Sequence, residues 1–266
     1  MLRRIREDIV MAFGLLTRVP MPRMSTDANR QPADAFWAMP LTGLVIGGGA
    51  GLVLWGCLAI GLGAGLAAIA ALATMAILTG GLHDDGLADF WDGIGGGGDR
   101  ERRLEIMRDS QIGTYGVVAL IILYAALVSV LTDHARSSVP PLTTADTGAS
   151  NVLNLGAIVG LSAMLARSML FVPLTLLSSV HDNGLAHYFG RPRAGNLALG
   201  LVWPIALAAV ILQFNAIAPV AGSACGALLV TAIAARYLGG YTGDVLGASI
   251  MTSFAGGLIA MGFIAK

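Results

Sequence analysis

Charge is the scarcest commodity of this chain. Asp, Glu, Lys and Arg make up 12% of its 266 residues, about half of the roughly 25% found in soluble domains, and its mean hydropathy is +0.75. That deficit excludes a soluble enzyme built around one large core. Cysteine is almost missing as well. Cys57 and Cys225 both fall inside apolar runs, where cysteine packs as a small hydrophobe, so neither a disulfide framework nor a thiolate metal site is expected. Formal net charge is zero, and no nucleic acid is expected as a partner. Alternating hydrophobicity is lacking, which argues against a transmembrane β-barrel. No cleavable signal peptide is evident: the N-terminus starts basic, but the apolar stretch Ile9–Leu16 is short and stops at Arg18.

What the chain has in abundance is continuous apolar sequence. A run of about 18 or more apolar residues can span a bilayer. Candidate spans lie at 41–62, 64–82, 114–132, 152–178, 196–214, 219–238 and 245–265. The expectation is an all-α, polytopic membrane bundle of about seven transmembrane helices, forming a single domain over 1–266. Ile5–Leu16 reads as an interfacial amphipathic helix, broken by Pro20 and Pro22. The first two spans should form an antiparallel hairpin across a short Gly-rich turn, and 133–151 reads as a polar external loop. Thirty-six glycines suit close helix packing.

Arginine placement orients the bundle. With seven spans, Arg3, Arg4, Arg6, Arg18, Arg23, Arg30, Arg100, Arg102, Arg103, Arg108, Arg191, Arg193 and Arg236 share one side, while Arg136 and Lys266 lie opposite. The N-terminus and the acidic 80–116 segment are then cytoplasmic.

That segment holds eight of the sixteen acidic residues: Asp84, Asp85, Asp89, Asp92, Asp99, Glu101, Glu105 and Asp109. Carboxylates are costly near a bilayer, so such a cluster marks a functional site. Asp85, Asp89 and Asp92, spaced i, i+4, i+7, share one helix face. Their mutual repulsion calls for a cation, and oxygen-only ligands suit Mg²⁺. Gly86 and Gly93 beside them suggest close approach of a ligand or a neighbouring helix. Gly95–Gly98 reads as a hinge, after which Asp99 can N-cap a helix that presents Arg103 and Arg108 to phosphates. Arg100, Arg102, Glu101 and Glu105 read as ordinary solvated helix decoration. His83 and Asp109 are candidate bases. Asp244 could reach the same site from the last span, or N-cap that helix. Arg167, inside the fourth span, needs an acidic or phosphate partner. Metal-binding acids and phosphate-binding arginines together point to diphosphate chemistry.

The run Thr79–Gly93, the run Leu104–Gly113 and the run Leu238–Ala248 resemble the signatures of cobalamin synthases (adenosylcobinamide-GDP ribazoletransferases), and Leu16–Pro20 and Met39–Leu44 fit the same family's N-terminal pattern. The resemblance implies an inner-membrane, magnesium-dependent enzyme that joins adenosylcobinamide-GDP to α-ribazole or its 5′-phosphate and releases GMP. It puts Asp85, Asp89, Asp92 and Asp244 in the metal set, His83 or Asp109 as base, and Arg18, Arg103, Arg108, Arg167 and Thr242 among substrate-binding residues. Asp84 falls outside the motif, since the family accepts an apolar residue there. The glutamates that often follow the last motif are absent from Ser249–Ser253. A homo-oligomer is compatible with the pattern.

Three other chemistries use related patterns. A CDP-alcohol phosphotransferase needs two further aspartates at i+4 spacing after a glycine, which Asp99 and Asp109 do not supply. An intramembrane prenyltransferase has two aspartate-rich clusters, where this chain has one and the lone Asp244. An ion-coupled transporter places acids at the bilayer midplane, whereas here they sit at span ends.

Overall fold

The computed structural model describes residues 2–22, 30–138, 148–180 and 185–263. Arg23, the middle of the polar loop (139–147) and Lys266 lie outside the described residues. Twelve helices follow in order among the described residues: α1 (Leu2–Leu16), α2 (Met39–Ala59), α3 (Ala64–Thr79), α4 (Leu82–Gly96), α5 (Arg100–Ile106), α6 (Thr114–Ser138), α7 (Gly148–Ser168), α8 (Phe171–Leu176), α9 (Leu185–Phe189), α10 (Ala194–Leu212), α11 (Ile217–Tyr237) and α12 (Gly243–Gly262). Short 3₁₀ turns at Pro32–Ala38 and Gln213–Ala216 join some of them. Among the described residues there is no strand, only an isolated bridge between Ser179 and Tyr241. The chain is an all-α, multi-pass membrane protein.

Among the described residues, five stretches are long and apolar enough to cross a membrane, or six if the bent pair α3 and α4 is one span. One of the five, Ala194–Tyr237, runs 44 residues. As a single straight helix it would measure about 66 Å, twice a hydrocarbon core of about 30 Å. It is broken at Gln213, where φ is 55°, so α10 and α11 are separate helices. The expected polar loop at 133–151 is shorter than its composition suggests, because α6 continues to Ser138 and α7 begins at Gly148.

α12 is the axis of the bundle, packed by α4, α6, α7 and α11. Its residues bury on every side, including Val245, Ala248, Ser249 and Phe254. α6 and α10 instead expose Ile121, Ile122, Val202 and Val210, the apolar surface a lipid-facing helix presents. α2 and α7 meet along Gly43, Gly47 and Gly51, four residues apart. A Cβ on any of them would lie 2.2–2.7 Å from a backbone oxygen of α7, so the stripe lets two backbones touch. α1 is fastened rather than merely adsorbed: its buried Glu7 and Asp8 hold Arg30, and Trp37 Nε1 donates to Asp8 at 2.7 Å.

The turn that creates the site is Gly80-Gly81. α3 and α4 meet there at 91°, and both glycines take positive φ, 66° and 70°. Two successive left-handed residues are cheap only for glycine. The Arg18 side chain lies on Gly80, 2.4 Å from where a Cβ would stand, and the Arg18 amide donates to the Leu78 carbonyl at 2.7 Å. Gly80→Ala should therefore cost about 1–2 kcal/mol from backbone strain alone. It should also displace Arg18, seen as a lower thermal midpoint in detergent.

Candidate active site

α4 carries the acidic cluster, and the bend turns it across the ends of the spans. Gly86 lets the start of α12 approach: a Cβ there would stand 3.1 Å from Asp244 Cα and 3.3 Å from Gly247 Cα. This contact brings two parts of the chain far apart in sequence onto one site. Asp89, half-buried, feels the charges of Asp85, Asp244 and Asp92 in falling order, and Asp244 feels Asp85. Asp85 is exposed, and its carboxylate accepts no hydrogen bond among the described residues. Asp244 stands in the first turn of α12, where the helix dipole favours a carboxylate and the Thr242 hydroxyl donates to it at 3.2 Å. Thr242, not Asp244, is the N-cap, accepting from the Val245 amide at 3.3 Å.

Asp92 does something else. Its two oxygens accept from the Gly113 and Gly116 amides at 2.7 and 2.8 Å, so it caps the start of α6. Both glycines are needed there, since a Cβ on either would fall 2.4 Å from the carboxylate. Gly93 serves packing too, facing Met107 and the Arg103 carbonyl. The Gly95–Gly98 run is not a free hinge. α4 runs through Gly96, Gly95 packs on the Tyr115 ring and Gly97 on Arg103, so these two are small-residue contacts, while Gly98 faces open space. Asp99 N-caps α5 as expected, accepting from the Arg102 amide at 2.9 Å, and Arg102 pairs with Glu105 on the exposed face.

Two cavities meet at Asp85. One, of about 120 Å³, is mostly apolar, with Leu16, Leu170, Phe189, Leu246 and Ile250 among its walls, together with His83, Asp85 and Asp244. The other, of about 600 Å³, is more polar and is lined by Arg18, Thr17, Thr79, the Gly80-Gly81 turn, Asp84 and Asp85. Arg18, exposed, thus faces the acidic site directly.

The other candidate residues are more dispersed. Arg103 stacks over Tyr237 at 4.9 Å and donates to the Gly98 carbonyl. Arg108 and Asp109 are exposed at the end of α5, and Asp109 accepts from the Gln111 amide at 3.1 Å. Neither lines the two cavities. Arg167 is 1% exposed and lies inside the bundle, bonded to the Ala163 carbonyl at 3.0 Å. His83 is 3% exposed, lies within electrostatic range of Arg167, and lines the apolar cavity.

A family model described as cobalamin-5-phosphate synthase matches residues 8–262. The chain belongs to the cobalamin-5-phosphate synthase family. Relatives named adenosylcobinamide-GDP ribazoletransferase include one from Bradyrhizobium diazoefficiens, 36% identical over 93% of this chain and 90% of its own. Others come from Sinorhizobium medicae, 35% identical over 93% of both chains, and Rhizobium etli, 37% identical over 91% of both. No solved structure matches the chain. This member of the cobalamin-5-phosphate synthase family therefore folds the signature segments resembling cobalamin synthases onto one end of the bundle.

Sequence reasoning missed the walls contributed by α1 and α9, and Tyr124, whose hydroxyl donates to Asp84 at 2.5 Å. No local signal marks these contacts, because each joins helices remote in sequence. The close-approach glycines were the legible hint.

Proposed function

We propose that this protein joins adenosylcobinamide-GDP to α-ribazole, or to its 5′-phosphate, and releases GMP, at a site facing the cytoplasm of a bacterial inner membrane. The observation that carries this reading is Asp85 on the wall shared by two unlike cavities, with Asp89 and Asp244 grouped against it. One cavity per substrate, with a carboxylate group between, is what a transfer between two bound molecules requires. The end of the bundle that holds the site also gathers Arg18, Arg100, Arg191 and Arg236, which supports the cytoplasmic assignment.

In the reaction, a ribose hydroxyl oxygen of the acceptor, α-ribazole or its 5′-phosphate, forms a bond to the diphosphate phosphorus on the cobinamide side. The bond from that phosphorus to the GMP oxygen breaks. The proton of that hydroxyl goes to His83, which lines the apolar cavity beside Asp85 and Asp244, rather than to Asp109 outside it. Arg18, over the polar cavity, steadies the diphosphate.

The donor set fits magnesium in its chemistry: Asp85, Asp89 and Asp244 are all oxygen ligands whose repulsion a cation offsets. Among the described residues no three such side chains already stand in a ligating arrangement; Asp85, Asp89 and Asp244 are the residues that would hold the ion. Asp92 is left out, its oxygens being engaged by backbone amides. Magnesium held there would supply neutralisation of the charge developing on the phosphates.

The apolar cavity suits the flat, largely apolar base of the ribazole. GMP release should require both substrates and Mg²⁺. Leu246→Phe, which narrows that cavity, should raise the KM for α-ribazole about tenfold, one contact's worth of binding energy, with the KM for adenosylcobinamide-GDP within twofold. An equal rise in both KM values would place the ribazole elsewhere, and no GMP release under any condition would overturn the function.

A further inference from the structure

Behind α4 lies a third, smaller cavity, which shares His83 with the apolar cavity and Thr79 and Asp84 with the polar one. It has a volume of about 20 Å³ and is lined by His83, Asp84, Tyr124, Arg167, Thr79 and apolar groups of α3, α6 and α12. Two of its polar atoms, Arg167 Nε and His83 Nε2, are buried with no hydrogen-bond partner in the protein. Leaving a buried donor unpaired costs about 1–3 kcal/mol, more when charged. Asp84 is engaged on one oxygen only, by the Tyr124 hydroxyl at 2.5 Å. The volume fits about one water, which needs roughly 10–15 Å³ and two to four polar partners.

We propose that one buried water occupies this cavity, accepting from Arg167 Nε–H and His83 Nε2–H and donating to Asp84, and so fixes the His83 tautomer that leaves Nδ1 free to take the substrate's proton. A ring nitrogen's state is set by the bond its partner nitrogen makes, and the arrangement is an Asp–His pair relayed through water. Arg167 is then a positioning residue that seats the water from α7, not a phosphate ligand. Tyr124 orients Asp84 from α6. Of the two residues that line both this cavity and the apolar substrate cavity, Ile250 and His83, only His83 is polar, so the inference rests on the reading of His83 as base. Asp84, outside the motif positions, is assigned a role particular to this chain.

The test is a set of variants of the full chain in detergent, read for kcat, both KM values and thermal midpoint. Asp84→Asn, Tyr124→Phe and Arg167→Met should lower kcat, by about tenfold or more for the first and last, a typical loss for an outer partner of an active group. Both KM values should stay within twofold. Asp84→Asn combined with Arg167→Met should be no worse in kcat than the poorer single variant, and Asp84→Asn should cost nothing further in a His83→Gln background. A raised KM for adenosylcobinamide-GDP in Arg167→Met would make Arg167 a phosphate ligand and overturn the proposal. So would additive losses, or a lowered midpoint with kcat per folded enzyme unchanged. If His83→Gln itself keeps full turnover, the base reading fails on its own. Coupling between Asp84 and Arg167 in the thermal midpoint then decides whether the water bridge exists.

Discussion

Asp85→Asn is expected to lower GMP release by on the order of 10²–10³, the rate equivalent of several kcal/mol of charge stabilisation, with no loss of fold. The asymmetry follows from what Asp85 touches. It is exposed, it accepts no hydrogen bond and it forms no ion pair among the described residues. Its removal deletes nothing that holds α4, and a surface change of this kind stays within about 0.5 kcal/mol. It even relieves repulsion on Asp89 and Asp244. A second readout separates the metal role from any other. Mg²⁺ should raise the thermal midpoint of the wild type, since a ligand of the native state stabilises it in proportion to ln(1 + [L]/Kd), and should leave the Asp85→Asn midpoint unmoved. A variant that keeps turnover, or keeps the Mg²⁺ shift, would remove Asp85 from the site.

The helical class, the spans and the acidic helix were legible in the sequence because each rests on local pattern. Continuous apolar runs fix the spans, Asp99 ahead of Arg100 caps α5, and the i, i+4, i+7 acids lie on one helix. The 91° bend was not foreseen: Gly80-Gly81 reads as the soft end of a span until the positive φ of both residues is seen. Gly86 and Gly93 did signal close approach, and the neighbours prove to be α12 and α5 rather than a ligand. Periodicity grouped Asp92 with Asp85 and Asp89, but it cannot tell which neighbour a helix face meets. Arg167 was expected to have an acidic or phosphate partner; among the described residues it forms no ion pair and bonds to the Ala163 carbonyl of its own helix, and the polar groups that share its cavity come from α3, α4 and α6.

Asp92 should therefore fail in the opposite way from Asp85. Asp92→Asn keeps the shape of the side chain but can accept only through one oxygen, and it turns an NH₂ toward the Gly113 or Gly116 amide. The site is 5% exposed, so water cannot take the place of the lost bond. Hydrogen bonds to charged groups are worth about 1.5–3 kcal/mol and an orphaned buried donor costs about 1–3 more, so the loss should be roughly 2–5 kcal/mol. For a chain of this size each kcal/mol moves the midpoint by about 2–4 °C, a fall of roughly 5–15 °C. The N-terminus of α6 should fray, exposing the Gly113–Gly116 amides to hydrogen exchange while α12 stays protected. Turnover per folded molecule, measured well below the lowered midpoint and with saturating Mg²⁺, should stay within a few-fold of the wild type. A variant that folds normally but loses turnover and its Mg²⁺ response would return Asp92 to the metal set beside Asp85 and Asp89. One helix face would then serve one purpose instead of two, with the capping of α6 as a secondary effect.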